Sequence, residues 1–241
     1  MNYKYSYTSK TGFKRKENED AVGVFNIDGG LLAIVCDGLG GKNAGEVASN
    51  LTVESILHFF NESRKFDYLA RIKYAIENAN SLLHAKSSND DELRGMATTV
   101  EVLYLKNNTM YWGHIGDSRI YNFRNGKLKL LTKDHSLVQK LVDDGYLSMS
   151  EAENHPNRNI ITRAVGELES VDIDLSKMKI NEFDENTFFI CTDGVTTEVR
   201  DFELEDLLNR SNADEITSSL VELIEARGAN DNFTFVIIKN E

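Results

Sequence analysis

Leu31-Leu32-Ala33-Ile34-Val35-Cys36-Asp37-Gly38-Leu39-Gly40-Gly41 is an apolar run that stops at an acid and then meets three glycines within four positions. Apolar residues bounded by a Gly-rich break read as a buried strand. The first residue past this one is a carboxylate. The pattern recurs at Phe188-Phe189-Ile190-Cys191-Thr192-Asp193-Gly194. It returns in mirror order at Asp231-Asn232-Phe233-Thr234-Phe235-Val236-Ile237-Ile238, where the acid precedes the strand. Three aspartates therefore stand at three strand ends.

Working outward, Ala21 to Ile27 has a strand pattern and Asp28-Gly29-Gly30 is a short turn of the kind that joins antiparallel neighbours. Near-symmetric pairing about that turn puts Asp20 almost opposite Asp37. Lys4 to Ser9 reads as an opening strand. Downstream, Ala44 to Phe60 and Asp67 to Ala85 carry apolar residues at helical spacing: Val47, Leu51, Val53 or Glu54, Ile56 and Phe60 in the first, Leu69, Ile72, Ile76, Ala79 and Leu83 in the second. Lys86 to Leu93 reads as a surface loop. Strands follow at Ala97–Leu105, Met110–Ile115 and Arg119–Phe123, then Lys127–Leu131 across the hairpin signal Asn125-Gly126.

Asp134 to Gly166 has the character of an insertion, with an amphipathic helix over Ser136–Asp143 and a polar span around Pro156, the only proline. Late strands lie at Thr187–Cys191 and Phe233–Lys239, and late helices at Glu203–Asn209 and Ala213–Ala226. Two helices early, two late and about ten strands, some joined by tight hairpins, predict a layered α/β sandwich on antiparallel sheets, with residues 1–241 as one domain.

The chain has 27 basic and 39 acidic residues, a formal charge of -12. Nucleic acid and anionic membrane both demand a basic footprint, so neither is expected as a partner. No apolar stretch approaches the ~18 residues of a spanning helix, and the polar start lacks a signal-peptide core, so the expected compartment is cytoplasmic. Cys36 and Cys191 lie inside apolar strands and read as small buried hydrophobes.

Carboxylates at strand ends beside glycines suit a hard cation. Magnesium and manganese(II) take oxygen ligands, keep several waters and need few protein carboxylates. Asp37, Asp193 and Asp231 can supply those oxygens, and Gly38 can turn its backbone carbonyl toward an ion. Two ions sharing one carboxylate lie ~4 Å apart and can hold a hydroxide for in-line attack on phosphorus. The sequence has no Cys-x5-Arg pattern that would offer a better nucleophile. A single Asp-Gly pair is an ordinary turn; it is the combination that points to a site.

These residues resemble the metal-dependent serine/threonine protein phosphatases of the type 2C (PPM) family in its short bacterial form. Gly12-Phe13-Lys14-Arg15-Lys16-Glu17-Asn18-Glu19-Asp20 is similar to G-x-x-R-x-x-N-E-D, and Asp37-Gly38-Leu39-Gly40-Gly41 to D-G-M-G-G, with Gly45-Glu46-Val47-Ala48-Ser49 following at the expected distance. Further on, Gly95-Met96-Ala97-Thr98-Thr99 resembles G-M-G-T-T, Gly116-Asp117-Ser118-Arg119 is G-D-S-R, and Leu131 to Val138 resembles L-T-x-D-H-S-L-V. His155 to Gly166, Asp193-Gly194 and Asp231-Asn232-Phe233-Thr234 complete the set.

The resemblance implies an α+β fold, a four-layer α-β-β-α sandwich of two antiparallel sheets flanked by pairs of helices. It implies hydrolysis of phosphoserine and phosphothreonine in proteins by a water or hydroxide bridging two Mn2+ or Mg2+ ions. Asp37 would bridge both ions, Gly38 would give one its carbonyl, and Asp193 and Asp231 would complete the other. Glu19 and Asp20 would orient nearby water, Arg15 would grip the substrate phosphate, and Asp117 would help to bind a weak third ion. The flap is expected over about residues 143–163, and His135 and His155 read as structural. An opposing serine/threonine kinase is the implied partner.

Two positions depart from the family pattern. Lys42 stands where relatives carry His or Asn, which removes a histidine general acid and leaves metal-bound water as proton donor. Thr197 stands where an aspartate usually supports the third ion; on an extended backbone Glu198 would point the other way, so third-ion binding is expected to be weak or absent. Leu39 for Met and Ala97 for Gly are packing changes. The alternatives are a non-catalytic phosphoprotein-binding member of the same fold and, against the acidic charge, a two-metal phosphodiesterase or nuclease.

Overall fold

The computed structural model describes residues 3–41, 44–63, 67–181, 184–210 and 212–240. Two antiparallel sheets face each other. One runs β1 (Tyr3–Lys10), β11 (Phe233–Asn240), β10 (Asn186–Cys191), β7 (Arg119–Arg124), β8 (Lys127–Leu130). The other runs β2 (Asp20–Ile27), β3 (Gly30–Leu39), β5 (Val100–Lys106), β6 (Thr109–Ile115), β9 (Asp174–Lys179), with the two-residue β4 (Ala97–Thr98) paired to the last residues of β3. Helices α1 (Ala44–Glu62) and α2 (Tyr68–Asn89) cover the second sheet, and α6 (Asp201–Leu208) and α7 (Ala213–Ala226) cover the first. Three short α-helices, α3 (Leu137–Asp143), α4 (Met149–Glu153) and α5 (Asp193–Glu198), and a 3-10 turn at Asp91–Leu93 complete the described set. This is the expected α-β-β-α sandwich.

Tight hairpins set the register. Asp28 and Gly29 have φ of 52° and 69°, and Asn125 and Gly126 have 53° and 72°. Positive φ at both central residues is the twist that matches two antiparallel strands. Asn107 and Asn108, at 50° and 55°, make a third such turn between β5 and β6.

Alternation then sorts the side chains into three cores. Ile34, Cys36, Val100 and Val102 face α1 and α2. Leu31, Ala33, Val35, Leu103 and Leu105 face the opposite sheet, meeting Phe188, Ile190, Val236 and Ile238. Phe189, Phe233 and Phe235 face α6 and α7 beside Leu204, Ile216 and Leu220. On α1 the inward face includes Ala48, Thr52, Val53, Ile56 and Phe60, which settles Val53 over Glu54.

The sequence expectations are corrected at several places. The stretch read as a surface loop from Lys86 is helical to Asn89, because exposed polar residues continue α2 until Asp90 caps it. The expected strand Ala97–Leu105 breaks at Thr99, whose backbone and hydroxyl are turned to Asp37. Strand β9 was not anticipated: it is a sheet edge with only Leu175 and Met178 half-buried, too little alternation to stand out. Ser136, expected inside the insertion's helix, is instead the N-cap of α3, its hydroxyl accepting from Gln139 N–H at 3.2 Å. The polar span after it contains α4, opened by Ser148 and Glu151 capping each other.

Candidate active site

The open end of the β2–β3 hairpin meets the ends of β10 and β11. Register pairs Asp20 with Asp37 in one sheet. In the other, antiparallel β10 and β11 bring Asp193, just past β10, to the same end as Asp231, just before β11. Side chains tie the two ends together. The Thr192 hydroxyl donates to Asp20 Oδ2 at 2.9 Å, and Thr192 Oγ1 accepts the Thr234 N–H at 3.0 Å. Asp37 is fixed from β4 onward: its N–H donates to Thr99 Oγ1 at 2.9 Å, and its carbonyl accepts from Thr99 N–H at 2.9 Å and the Thr98 hydroxyl at 2.8 Å.

Two glycines permit this convergence. A Cβ on Gly38 would stand 2.2 Å from the Gly45 carbonyl oxygen and 2.4 Å from that of Glu19. One on Gly194 would stand 1.9 Å from the Asn232 carbonyl oxygen. Backbone atoms occupy those positions, so a side chain there would push the acid-bearing segments apart.

Electrostatically the site is an excess of negative charge. Asp37 and Asp193 share a hydrogen bond, and both carboxyls are raised above the ordinary range by burial and then by neighbouring aspartates. Burial is also the main cause at Asp20, pushed up to about 7 against hydrogen bonds from Thr234 and Thr192, and at Asp117, pushed up to about 8. Asp117 Oδ1 is buried without a hydrogen-bond partner among the described residues. Half-buried Glu19 is raised by burial, with Arg15 opposing. Arg15 forks Asp231: Nη2 donates to Oδ2 at 2.8 Å and Nε lies 2.7 Å from Oδ1.

An all-oxygen donor set, mutual repulsion and an orphaned carboxylate oxygen fit a hard divalent cation. Among the described residues no three acidic, histidine or cysteine side chains form a ready-made ligand cluster. Magnesium and manganese do not require one, since they retain several waters.

All the expected residues gather at this end, with Arg15 and Glu19 on the β1–β2 loop and Asp117 on the β6–β7 turn. Thr197 lines the same cavity as Asp117 and Asp193. The backbone there is helical, not extended, yet Glu198 does turn away: its Oε1 accepts from Asn230 Nδ2 at 2.8 Å. Lys42 lies outside the described residues. His155 orders the turn after α4, its Nδ1 accepting the Asn157 N–H at 3.1 Å.

Asn232 is a contributor to which the sequence alone assigns no role. Buried beside Asp231, it accepts the Glu19 N–H at 2.9 Å and donates to the carbonyls of Thr11 and Glu17 at 2.8 and 2.9 Å. It thereby clamps both ends of the loop that carries Arg15. The signal available was its place directly after a strand-end acid, where a buried amide can satisfy a loop's backbone.

Comparison with known proteins gives concordant results. A family model described as Protein phosphatase 2C matches residues 14–233. The serine/threonine phosphatase Stp of Listeria welshimeri is 31% identical over 239 residues, 97% of this chain and 94% of that protein. The serine/threonine protein phosphatase PstP of Mycobacterium tuberculosis is 35% identical over 234 residues, 97% of this chain but 44% of the longer mycobacterial protein. The solved catalytic domain of PstP, in complex with two manganese ions, superposes with a TM-score of 0.88 at 31% identity, covering 99% of each chain. Among the described residues no helix is long and apolar enough to cross a membrane.

Proposed function

This chain belongs to the protein phosphatase 2C family, and on that premise we propose how its own residues divide the work. It is a serine/threonine protein phosphatase acting on phosphorylated proteins. The observation that carries the assignment of residues is the meeting of Asp20, Asp37, Asp117, Asp193 and Asp231 at one end of the sandwich, where burial and neighbouring carboxylates raise Asp20, Asp37, Asp117 and Asp193.

Asp37, Gly38, Asp193 and Asp231 are the residues that would hold two Mn2+ or Mg2+ ions, with Asp37 the ligand that both would use. When bound, these ions neutralise phosphate charge as Lewis acids and lower the pKa of water. Glu19 and Asp20 orient solvent around the centre, Asp20 fixed by Thr192. Arg15 presents to the phosphate the same fork with which it grips Asp231 here, a geometry suited to paired oxygens. Asp117 would help to hold a third ion, and only weakly, since Thr197 adds no charge on its side of the cavity. Residues 1–241 act as one catalytic domain with a flap over about 143–163. The cytoplasm as compartment, an opposing serine/threonine kinase as partner and no nucleic-acid ligand complete the proposal; the charge of -12 supports the last.

The test is turnover of p-nitrophenyl phosphate and of a phosphothreonine peptide with manganese, repeated with EDTA and with Asp37→Ala. EDTA should abolish both activities. Losing the shared ligand removes about 4 kcal/mol of transition-state stabilisation, so Asp37→Ala should lower kcat/KM on the order of a thousandfold. A wild type silent with every divalent ion tried would overturn the enzyme and leave a phosphoprotein-binding module.

A further inference from the structure

We propose that the cleft between the flap and α6 is a subsite for an apolar side chain flanking the phosphorylated residue of the substrate protein. The proposal rests on the phosphatase reading above and supplies a recognition element for it. The cleft is a cavity of about 710 Å³ that includes both Asp117 and Asp193 in its lining, within the size range of sites that enclose organic ligands.

Its apolar lining has two parts. Val138, Ala152 and Val199 are buried and form a floor. Leu130 of β8, Met149 of α4 and Phe202 of α6 line the same cavity while 36%, 59% and 68% exposed. A single exposed apolar residue needs no explanation. Three large ones, brought by three elements to one cavity with a buried apolar floor, form a surface that an apolar partner would cover.

The occupant follows from continuity and charge. Since the cavity reaches Asp117 and Asp193, a phosphorylated residue at the acids carries its neighbours along this floor. Five acids and three arginines line the cleft. Two of those arginines are engaged: Arg119 forks Asp134 at 2.9 and 2.7 Å, and Arg200 pairs with Glu153 at 3.4 Å. With Asp117 and Asp193 taken by the metal centre, the remaining Arg158 and Asp201 balance, so the lining away from the centre carries no net charge and apolar contact is the main attraction. The Glu153–Arg200 pair also joins the flap to the residue preceding α6, so both walls meet at the rim.

The experiment uses phosphothreonine peptides on an alanine background, with one leucine moved through the four positions on either side of the phosphorylated residue. With manganese, wild type should show kcat/KM roughly three- to tenfold higher for leucine at a particular position than for the all-alanine peptide. Phe202→Ser and, separately, Met149→Ser should bring that ratio toward one; both side chains are mostly exposed, so the fold tolerates the changes.

No leucine preference in wild type, or a preference that survives both variants, would overturn the subsite. So would a concentration-dependent dimer in wild type that Phe202→Ser dissolves, which would assign the face to a second copy of the chain. Failure to turn over p-nitrophenyl phosphate would instead sink the phosphatase reading. In that event fluorescence anisotropy of the same labelled peptides still decides the subsite: a leucine preference lost in Phe202→Ser sustains it, and equal binding overturns it.

Discussion

His135 is held neutral by its surroundings. Its Nδ1 accepts the Gly116 N–H at 3.0 Å and so carries no proton, and its Nε2 lies 3.0 Å from Arg163 Nη1 and 3.3 Å from Asp174 Oδ2. Burial, the His114 ring 4.4 Å away and Arg163 lower it to about 4. His114 is different: burial disfavours its charge, but its buried partner Glu101 prevails and raises it to about 9. The sign for His135 follows from proton binding. An unfolded histidine titrates near 6.5, so between about pH 6.5 and 4 the unfolded chain binds more protons and folding loses stability as pH falls. Compared with His135→Gln, wild type should therefore lose on the order of 2 kcal/mol more between pH 6.5 and 4.5. Thermal unfolding across that window checks it; parallel stability curves for the two proteins would contradict it. The consequence reaches the segment after α4, because His135 also accepts the Thr162 N–H at 2.8 Å on its backbone carbonyl.

Between elements, the corresponding fixture is Arg71, only 2% exposed on α2. Its Nη1 lies 2.9 Å from Asp28 Oδ2 in the β2–β3 turn, its Nη2 donates to the Phe60 carbonyl near the end of α1, and its guanidinium sits 4.5 Å over the Phe60 ring. It pins both helices of one layer to the closed end of the hairpin, about 25 Å from Asp20 and Asp37 at 3.3 Å per strand residue. Arg71→Met keeps bulk but leaves the Phe60 carbonyl without that donor and Asp28 without this partner. Unfolding stability should fall by roughly 2–3 kcal/mol, moderated because Asp28 still reaches water. Turnover per folded molecule should stay as in wild type, and a large activity loss would show that the layer transmits to the site. Nothing in the sequence marked Arg71 for burial, since an arginine among apolar helix positions reads as a solvated edge. What was legible has local causes: Asp-Gly and Asn-Gly turns, apolar alternation in β3, β10 and β11, and the stripes of α1 and α2. What was not legible depends on distant partners. Thr99 breaks a strand because it turns to Asp37, β9 pairs although mostly exposed, and Asn232 serves a loop more than two hundred residues earlier. Asp193 looked like a strand end followed by a turn; its backbone instead begins α5, a helix too short to leave a periodic stripe.

For the whole molecule, the active end is a reservoir of repulsion in a chain that already carries a net charge of -12. Burial and then Asp20, Asp193, Asp117 and Asp231 hold Asp37 well above the ordinary carboxylate range. A carboxyl with a raised folded pKa destabilises the fold at any pH above its unfolded value, either by ionising against its neighbours or by retaining a proton that the unfolded chain releases. In EDTA at pH 8, Asp37→Asn should therefore be more stable than wild type by about 1–3 kcal/mol, although inactive. Manganese should reverse the order. An ion that binds only the folded state adds about 2.7 kcal/mol at a hundred times its Kd, and the variant, lacking the shared ligand, should gain much less. Raising sodium chloride should not substitute for manganese, because screening between buried charges is weak. Chemical denaturation of both proteins in EDTA, in manganese and in high salt reads all three terms. A variant less stable than wild type in EDTA, or an equal gain for both in manganese, would show that Asp37 serves packing and not the charge of a metal centre.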